Sequence, residues 1–348
     1  MPDERDVPGT TSAPAAAPAL SSYTAVAIQT AHGSAPDRAT IQRNVERVVG
    51  LIEGAVWGYA HWGYPVKLVA LPEFCLQGIP YFSHEELERH DVLIRLDGPE
   101  IAALAACARR LDIHIACGTV LEADEAYPGL TFNTAVVVGP AGIVLRYRKV
   151  NPWIPIETHA SPHAVAGYAE ELWPVADTEI GRIGCLVCND ILFPETYREL
   201  AVRGVEVVIV ANALPSPWGV EQPTPWGTIV PQVRSLENVV VTVNVNQGGA
   251  LLPFVFTGGS GIFDWEGRVL AQTALDGEQL VAGHVHLTAL REWRARTYQH
   301  AGPAALRSSA YDYLGRPGLP GGTVAPDGTV TSDELRRQID AGRARLGD

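Results

Sequence analysis

The chain has 348 residues, 47% of them apolar, and a formal net charge of −13. That length can bury a sizeable core as one large domain or two ordinary ones, and the apolar fraction excludes disorder over most of it. The negative balance argues against nucleic acid or an anionic membrane surface as the main partner, and no run approaches the roughly 20 uninterrupted apolar residues that span a bilayer.

Residues 1–21 are rich in Pro, Ala and Ser and lack a basic start followed by an apolar stretch. They read as a disordered tail and not as a secretory signal. Five cysteines, an odd number in a long chain, suggest no disulfide framework. The expected compartment is the reducing cytoplasm, which leaves one of the five as a candidate reactive thiol.

SYTAVAIQT reads as a buried strand, and the following ATIQRNVERVVGLIEGAVWGYAHWG has the three-and-four spacing of an amphipathic helix. PVKLVALPEF is a second buried strand stopped by Pro72. Residues 99–112 are helical with Pro99 at an early position, where its missing N–H is harmless. Residues 113–122 form a strand, and NTAVVVGPAGIVLRYRKV gives two extended runs about Gly139-Pro140-Ala141-Gly142, a hairpin signal. RIGCLVCND (182–190) is another strand, followed by a helix with Pro194 near its start. VEVVIVANA, a helix through roughly 228–238 and VVVTVNVNQ continue the alternation, and SGIFDWEGRVLAQT supplies a second hairpin. Alternating strands and helices interrupted by hairpins predict an α/β fold with mixed sheets covered on both faces. One domain is expected over 22–290. Residues 291–348, Arg-rich and then Gly/Pro-rich, cannot form their own core; they dock on the domain, dock on a partner subunit, or stay mobile.

Cys188 ends a predicted buried strand just before a loop and helix, where open α/β folds place their sites and a helix N-terminus favours thiolate. Local context alone favours a packed core cysteine. Cys185 lies three residues earlier on the opposite face of strand-like sequence, with no second ligand pair for zinc, and reads as core. Glu73 also follows an apolar strand, where a raised pKa would suit a general base; an exposed loop carboxylate is the plainer reading. Only two of the 26 basic residues are lysine, Lys67 and Lys149. At the end of a hairpin strand, Lys149 offers a compact charge suited to a single developing oxyanion, whereas Arg146 and Arg148 read as ordinary rim charges. The prolines of the following VNPWIPIE stiffen the loop, so it can hold Trp153 and Glu157 at fixed distances from Lys149. His159 and His163 share an i, i+4 spacing, but Pro162 lies between them and no HExxH pattern is present, so no metal site is expected. Gly258-Gly259-Ser260-Gly261 lacks the phosphate-loop pattern and reads as a strand entry.

Together, Glu73 in LPEFCLQG, Lys149 in RYRKV and Cys188 in GCLVCNDILFPETYREL resemble the nitrilase superfamily of carbon–nitrogen hydrolases, over about residues 22–290. The late hairpin GGSGIFDWEGRVLA is similar too. The resemblance implies an αββα sandwich of mixed sheets that pairs into a four-layer-containing homodimer or higher homo-oligomer. It implies Glu73 as the proton carrier, Cys188 as the nucleophile, and Lys149 with the Asn189 N–H as oxyanion donors. YRKVNPWIPIE is similar to the aliphatic amidases and formamidases, whose second glutamate falls on Glu157. Phe74 stands where those enzymes often have Tyr, and VANALPSPWG replaces their more polar substrate-binding segment. Phe74, Trp153, Asn189, Asn212 and Ala213 are therefore the expected substrate contacts, around a wider or more apolar acyl pocket. Cys188-Asn189-Asp190 argues against a nitrilase, which usually carries Cys-Trp-Glu. The alternative is an N-carbamoyl amino acid hydrolase, whose usual His is Asn151 here, or an amide acyltransferase. The expected substrate is a small-molecule carboxamide, with no metal or organic cofactor.

Overall fold

Period-two alternation along the first strand sends its side chains into two different cores, and that division organises the molecule. The computed structural model describes residues 20–31, 33–78, 83–153, 157, 159–216, 225–251, 254–275, 277–296, 301–307, 310–311 and 337. In chain order, β1 (Ser22–Gln29) leads through α1 (Arg38–His61) to β2 (Val66–Ala70). Next come α2 (His84–Arg89), α3 (Pro99–Leu111), β3 (His114–Ala123), β4 (Thr131–Gly139) and β5 (Gly142–Arg148). The second half begins with β6 (Val175–Thr178), β7 (Gly181–Val187), α4 (Pro194–Val202), β8 (Val207–Asn212) and β9 (Pro215–Ser216). It continues through α5 (Trp226–Asn238), β10 (Val241–Asn246), β11 (Gly248–Leu251) and β12 (Phe254–Thr257). It closes with β13 (Gly261–Phe263), β14 (Val269–Gln272), β15 (Gln279–His286) and α6 (Leu287–Arg296).

The two large sheets run β15-β1-β2-β3-β4-β5 and β14-β13-β10-β8-β7-β6, and β11-β12-β9 form a small third sheet. Each large sheet has a parallel centre, β1-β2-β3 or β7-β8-β10, flanked by antiparallel strands. Mixed sheets were the expectation from hairpins interrupting the alternation. On the first sheet, Ala25, Ala27, Ala70, Ala116 and Ala135 join the core shared with the second sheet. Val26, Ile28, Val69 and Ile115 pack instead with Ile41, Val45 and Ile52 of α1 and Leu104 of α3. With α4 and α5 packed on the second sheet, the layers are helix, sheet, sheet, helix, the αββα sandwich expected.

Local signals explain the helix starts. The Asp37 carboxylate accepts the Thr40 N–H at 2.7 Å at the head of α1, and Pro99 and Pro194 occupy the first turns of α3 and α4. The strand expected through 190 stops at Val187 because the Asp190 carboxylate accepts the Val187 N–H at 3.0 Å and draws Cys188–Leu192 into a 3-10 turn.

Two expectations change. Arg148 is not a rim charge: its side chain is 1% exposed, paired with Glu122 through Nε and Nη2 at 2.9 Å each, and lies 4.1 Å over the Phe132 ring. A guanidinium is buried there because two parallel hydrogen bonds to a carboxylate and an aromatic face replace its hydration. The boundary drawn at 290 falls inside α6. Arg291 pairs with Glu206, and Arg294 donates to the Val205 and Val239 carbonyls, so the start of the extension is fastened to the second sheet. The tail through residue 19 and the Gly/Pro-rich stretch lie outside the described residues. Among the described residues no helix is long and apolar enough to cross a membrane.

Candidate active site

Four strand ends converge on one buried cluster. Glu73 lies just past β2, Lys149 just past β5, Cys188 just past β7, and Ala213 just past β8. In open α/β sheets the carboxyl ends of strands are where backbone groups are free to meet a ligand.

The turn that presents Glu73 depends on a glycine in the neighbouring strand. β3 bulges between Ala116 and Thr119, and Gly118 there has φ +66. A Cβ on Gly118 would lie 1.9 Å from the Pro72 carbonyl oxygen, so only glycine lets that peptide approach. Thr119 Oγ1 accepts the Phe74 N–H at 3.1 Å, and Phe74 itself has φ 57. From this turn the Glu73 side chain, 1% exposed, reaches three donors. Oε1 accepts from Asn133 Nδ2 at 2.7 Å and Lys149 Nζ at 2.9 Å, and Oε2 accepts from the Ala213 N–H at 2.9 Å. Its main chain is tied as well, the N–H to the Asn212 carbonyl at 3.2 Å and the carbonyl to Gln247 Nε2 at 2.7 Å.

Lys149 is wholly buried and spends its remaining donors on Glu157, at 2.7 Å to Oε1 and 2.9 Å to Oε2. The Trp153 N–H also donates to Glu157 Oε2, and His159 Nε2 lies 3.2 Å from that oxygen. One ammonium thus joins two carboxylates that feel opposite pushes. Burial raises Glu73 above the ordinary glutamate range, with Lys149 opposing and the Glu157 charge adding to the rise. Burial also works against the charge of Glu157, but Lys149 and then His159 outweigh it and hold that carboxylate well below its ordinary range. Burial disfavours the Lys149 charge too, and Glu157 and Glu73 reverse this, raising the ammonium well above the usual lysine value.

Cys188 opens the turn after β7 with φ 45, a left-handed conformation rare for a residue with a Cβ, and is 6% exposed. Asp190 holds that turn against the Lys149 strand. One of its oxygens accepts from the Asn151 N–H at 3.0 Å and Asn151 Nδ2 at 2.9 Å; the other accepts from Tyr147 OH at 2.7 Å and the Val187 N–H. Burial first, then the Glu73 charge, push the Cys188 thiol well up, while Lys149 and the Ala213 N–H pull it down. A thiol protonated at rest beside a carboxylate is an arrangement in which one proton can pass between them.

The other expected contacts have varied places. Trp153 is 37% exposed, its ring against Phe254 at 6.4 Å between centroids. Asn189 donates from Nδ2 to the Asn151 and Pro152 carbonyls, 3.3 Å each, bracing the loop between Lys149 and Glu157. Phe74 is buried in the apolar cluster beneath α1 and α3. Asn212 is fully buried with Nδ2 on Asn244 Oδ1 at 2.7 Å, so it and Ala213 meet Glu73 through their main chain. Asn133, Gln247 and Tyr147 escaped the sequence reading, in which Asp190 was only a neighbour of Cys188 and His159 only half of an unsuitable metal pair. A signal existed for one of them: Asn133 is an amide at the head of the apolar run of β4. Cys185 is buried in the shared core, and among the described residues no group of three or more His, Cys, Asp or Glu is arranged to hold a metal.

An αββα sandwich with a buried Glu–Lys–Cys cluster at its strand ends defines a small-molecule site on the α/β plan of the nitrilase superfamily. A sequence profile of the family described as Carbon-nitrogen hydrolase matches residues 25–295, and the chain belongs to that family. A formamidase of Bradyrhizobium diazoefficiens is 30% identical over 288 residues, 79% of this chain and 78% of its own. A formamidase of Bacillus cereus is 24% identical, covering 77% of this chain and 75% of its own. Among solved structures, the Saccharomyces cerevisiae protein Nit3, a member of branch 10 of the nitrilase superfamily, superposes with TM-score 0.67 at 22% identity, over 84% of this chain and 99% of its own. An amidase from Nesterenkonia sp. superposes with TM-score 0.58 at 23% identity, over 80% of this chain and 95% of its own. The chain is a nitrilase-superfamily carbon–nitrogen hydrolase near the amidase and formamidase branch.

Proposed function

We propose that the protein hydrolyses a small or medium carboxamide to the carboxylic acid and ammonia through a thioester on Cys188. The observation that carries this reading is the single buried ammonium of Lys149, shared between Glu73 and Glu157 beside the Cys188 thiol. Glu73 takes the Cys188 proton as sulfur adds to the amide carbonyl. Lys149 and the Asn189 N–H stabilise the oxyanion, and removing such a donor costs on the order of 100–1000-fold in turnover. Glu73 then gives its proton to the departing nitrogen, ammonia leaves, and the thioester forms. Water, deprotonated by Glu73, adds to the thioester; the tetrahedral species expels the thiolate, which recovers the proton. Glu157, held ionised, orients the amide nitrogen.

The formamidase relatives support a short acyl group, and the Trp153–Phe254 pair at the loop carrying Glu157 supports a pocket with an apolar wall. Five buried cysteines with no disulfide fit a cytoplasmic enzyme. Exposed Leu192, Phe193, Val202, Ile229, Val233 and Leu236, on and beside α4 and α5, support a homo-oligomer joined through that layer, which sedimentation equilibrium reads.

Ammonia and carbon dioxide release across carboxamides and N-carbamoyl amino acids tests the reaction. Ammonia alone from carboxamides is the expected result; inert carboxamides with turnover of N-carbamoyl compounds refute it in favour of the carbamoyl hydrolase. Cys188→Ala abolishes turnover and its sensitivity to thiol reagents, whereas Cys185→Ala retains both. The reverse pattern removes Cys188 as the nucleophile.

A further inference from the structure

In the sequence His159 is half of a histidine pair whose spacing suits no metal site; in the structure it faces Glu157. Its side chain is 2% exposed, and Nε2 faces Glu157 Oε2 at 3.2 Å. Nδ1 lies 3.4 Å from the Ala160 carbonyl, while Nε2 is buried with no hydrogen bond of its own in this arrangement, so Glu157 Oε2 is the acceptor in front of it that a ring proton there can use. The segment bearing His159 is fixed to the β4–β5 hairpin that also supplies Lys149: the Ala160 N–H donates to the Thr131 carbonyl and Ser161 Oγ to the Val150 carbonyl, both at 2.7 Å. The imidazole is therefore set at a defined position beside Glu157.

The consequence concerns Lys149. Its ammonium has three protons, and contacts to Glu73 Oε1, Glu157 Oε1 and Glu157 Oε2 occupy all of them. A lysine captured in this way cannot turn a proton toward a developing oxyanion unless one carboxylate contact is given up. Glu157 Oε2 is the contact with substitutes, because the Trp153 N–H and His159 Nε2 also reach it. We propose that His159 is a positioning residue, holding Glu157 by Oε2 so that Lys149 can release that oxygen and donate to the substrate carbonyl. This rests on the amidase reading, in which Lys149 is the oxyanion donor. His159 touches neither substrate nor sulfur and acts through Glu157.

The test compares wild type, His159→Leu, which removes the donor at similar volume, and His159→Gln, which keeps an N–H donor. Steady-state rates are measured on whichever compound the wild type turns over, with thermal unfolding as the folding control. Alkylation of Cys188 by iodoacetamide, which presupposes no substrate, is measured in parallel. Loss of one hydrogen bond to a charged group that matters only in the transition state predicts a kcat roughly 10-fold lower for His159→Leu with KM nearly unchanged. His159→Gln recovers most of that loss. Alkylation slows in His159→Leu, because Glu157 then draws Lys149 away from the thiolate, and recovers in His159→Gln. An unchanged kcat in a folded His159→Leu, an effect on KM alone, or a His159→Gln as impaired as His159→Leu overturns the proposal. If wild type releases nothing from any amide, the amidase reading falls, and an alkylation rate equal in all three proteins overturns this inference separately.

Discussion

Replacing Lys149 with methionine keeps the length of the side chain and removes its charge, leaving Glu73 and Glu157 buried without their common cation. Nζ sits 2.9 Å from Glu73 and 2.7 Å from Glu157. At an effective dielectric of about 20 each pairing is a gross attraction of about 6 kcal/mol, most of which offsets the cost of desolvating the charges. What breaking a buried pair costs net is about 3–5 kcal/mol. The penalty must also depend on pH. Without Lys149, burial raises Glu73 with the main opposing influence gone and the Asn133 hydrogen bond left, and Glu157 loses the main influence that lowers it. A carboxyl whose pKa is higher folded than unfolded binds its proton more tightly in the fold, so its contribution is present below the unfolded value and is lost as pH rises through the folded one. Each such carboxyl costs about 1.4 kcal/mol per pH unit within that window. Between about pH 5.5 and pH 7.5 the variant should therefore lose stability relative to wild type, by at most about 1.4 kcal/mol per pH unit for each carboxyl so displaced. Urea unfolding of both proteins at the two pH values measures this, with turnover in parallel expected to fall at least ~100-fold. A penalty below about 1 kcal/mol, or one equal at both pH values, would refute the charge assignment.

Three further expectations follow from other parts of the structure. The acid limb of kcat/KM should lie above the ordinary glutamate value of 4.5, because burial raises Glu73 more than Lys149 and Asn133 lower it; a limb at or below that value removes Glu73 as the base. Gly118→Ala forces a Cβ against the Pro72 carbonyl at positive φ, so it should lower stability by about 1–3 kcal/mol and reduce kcat by displacing Glu73. Wild-type stability and kcat would dissociate the bulge from the site. Arg148→Met strands Glu122, whose side chain is 2% exposed, and should cost about 3–5 kcal/mol in chemical unfolding; a loss under about 1 kcal/mol would make Arg148 the surface charge its sequence context suggests.

Much of the fold was legible because the strands are long apolar runs and the helices carry three-and-four spacing, signals that survive without tertiary context. The short strands were not: β6, β9, β11 and β12 owe their pairing to neighbours supplied by the rest of the fold. The Glu73, Lys149 and Cys188 positions stand out because each interrupts or ends an apolar strand with a reactive group, and lysine is rare in this chain. Asp190 and Tyr147 gave no such signal. They are forty-three residues apart, and only the packing of β5 beside β7 turns a buried tyrosine and an aspartate into a brace for the Cys188 turn. Arg148 was misjudged for the same reason, since its carboxylate partner belongs to a different strand.

The placement of charge around Lys149 supports the different roles proposed for Glu73 and Glu157, which residue identity alone leaves open. Glu73 and Glu157 have the same chemistry and share one ammonium, yet their remaining neighbours differ. Glu73 adds an amide and one backbone N–H, and the Glu157 charge lies close enough to raise it further. Glu157 adds a backbone N–H and an imidazole, and settles well below its ordinary range. A pair of titrating groups pushed apart in this way separates proton carrier from fixed charge. Glu73, with its proton more readily held and the thiol beside it, is suited to carry the proton out of Cys188 and back. Glu157 is suited to remain an anion throughout, which is what orienting an amide N–H and steering an ammonium both require.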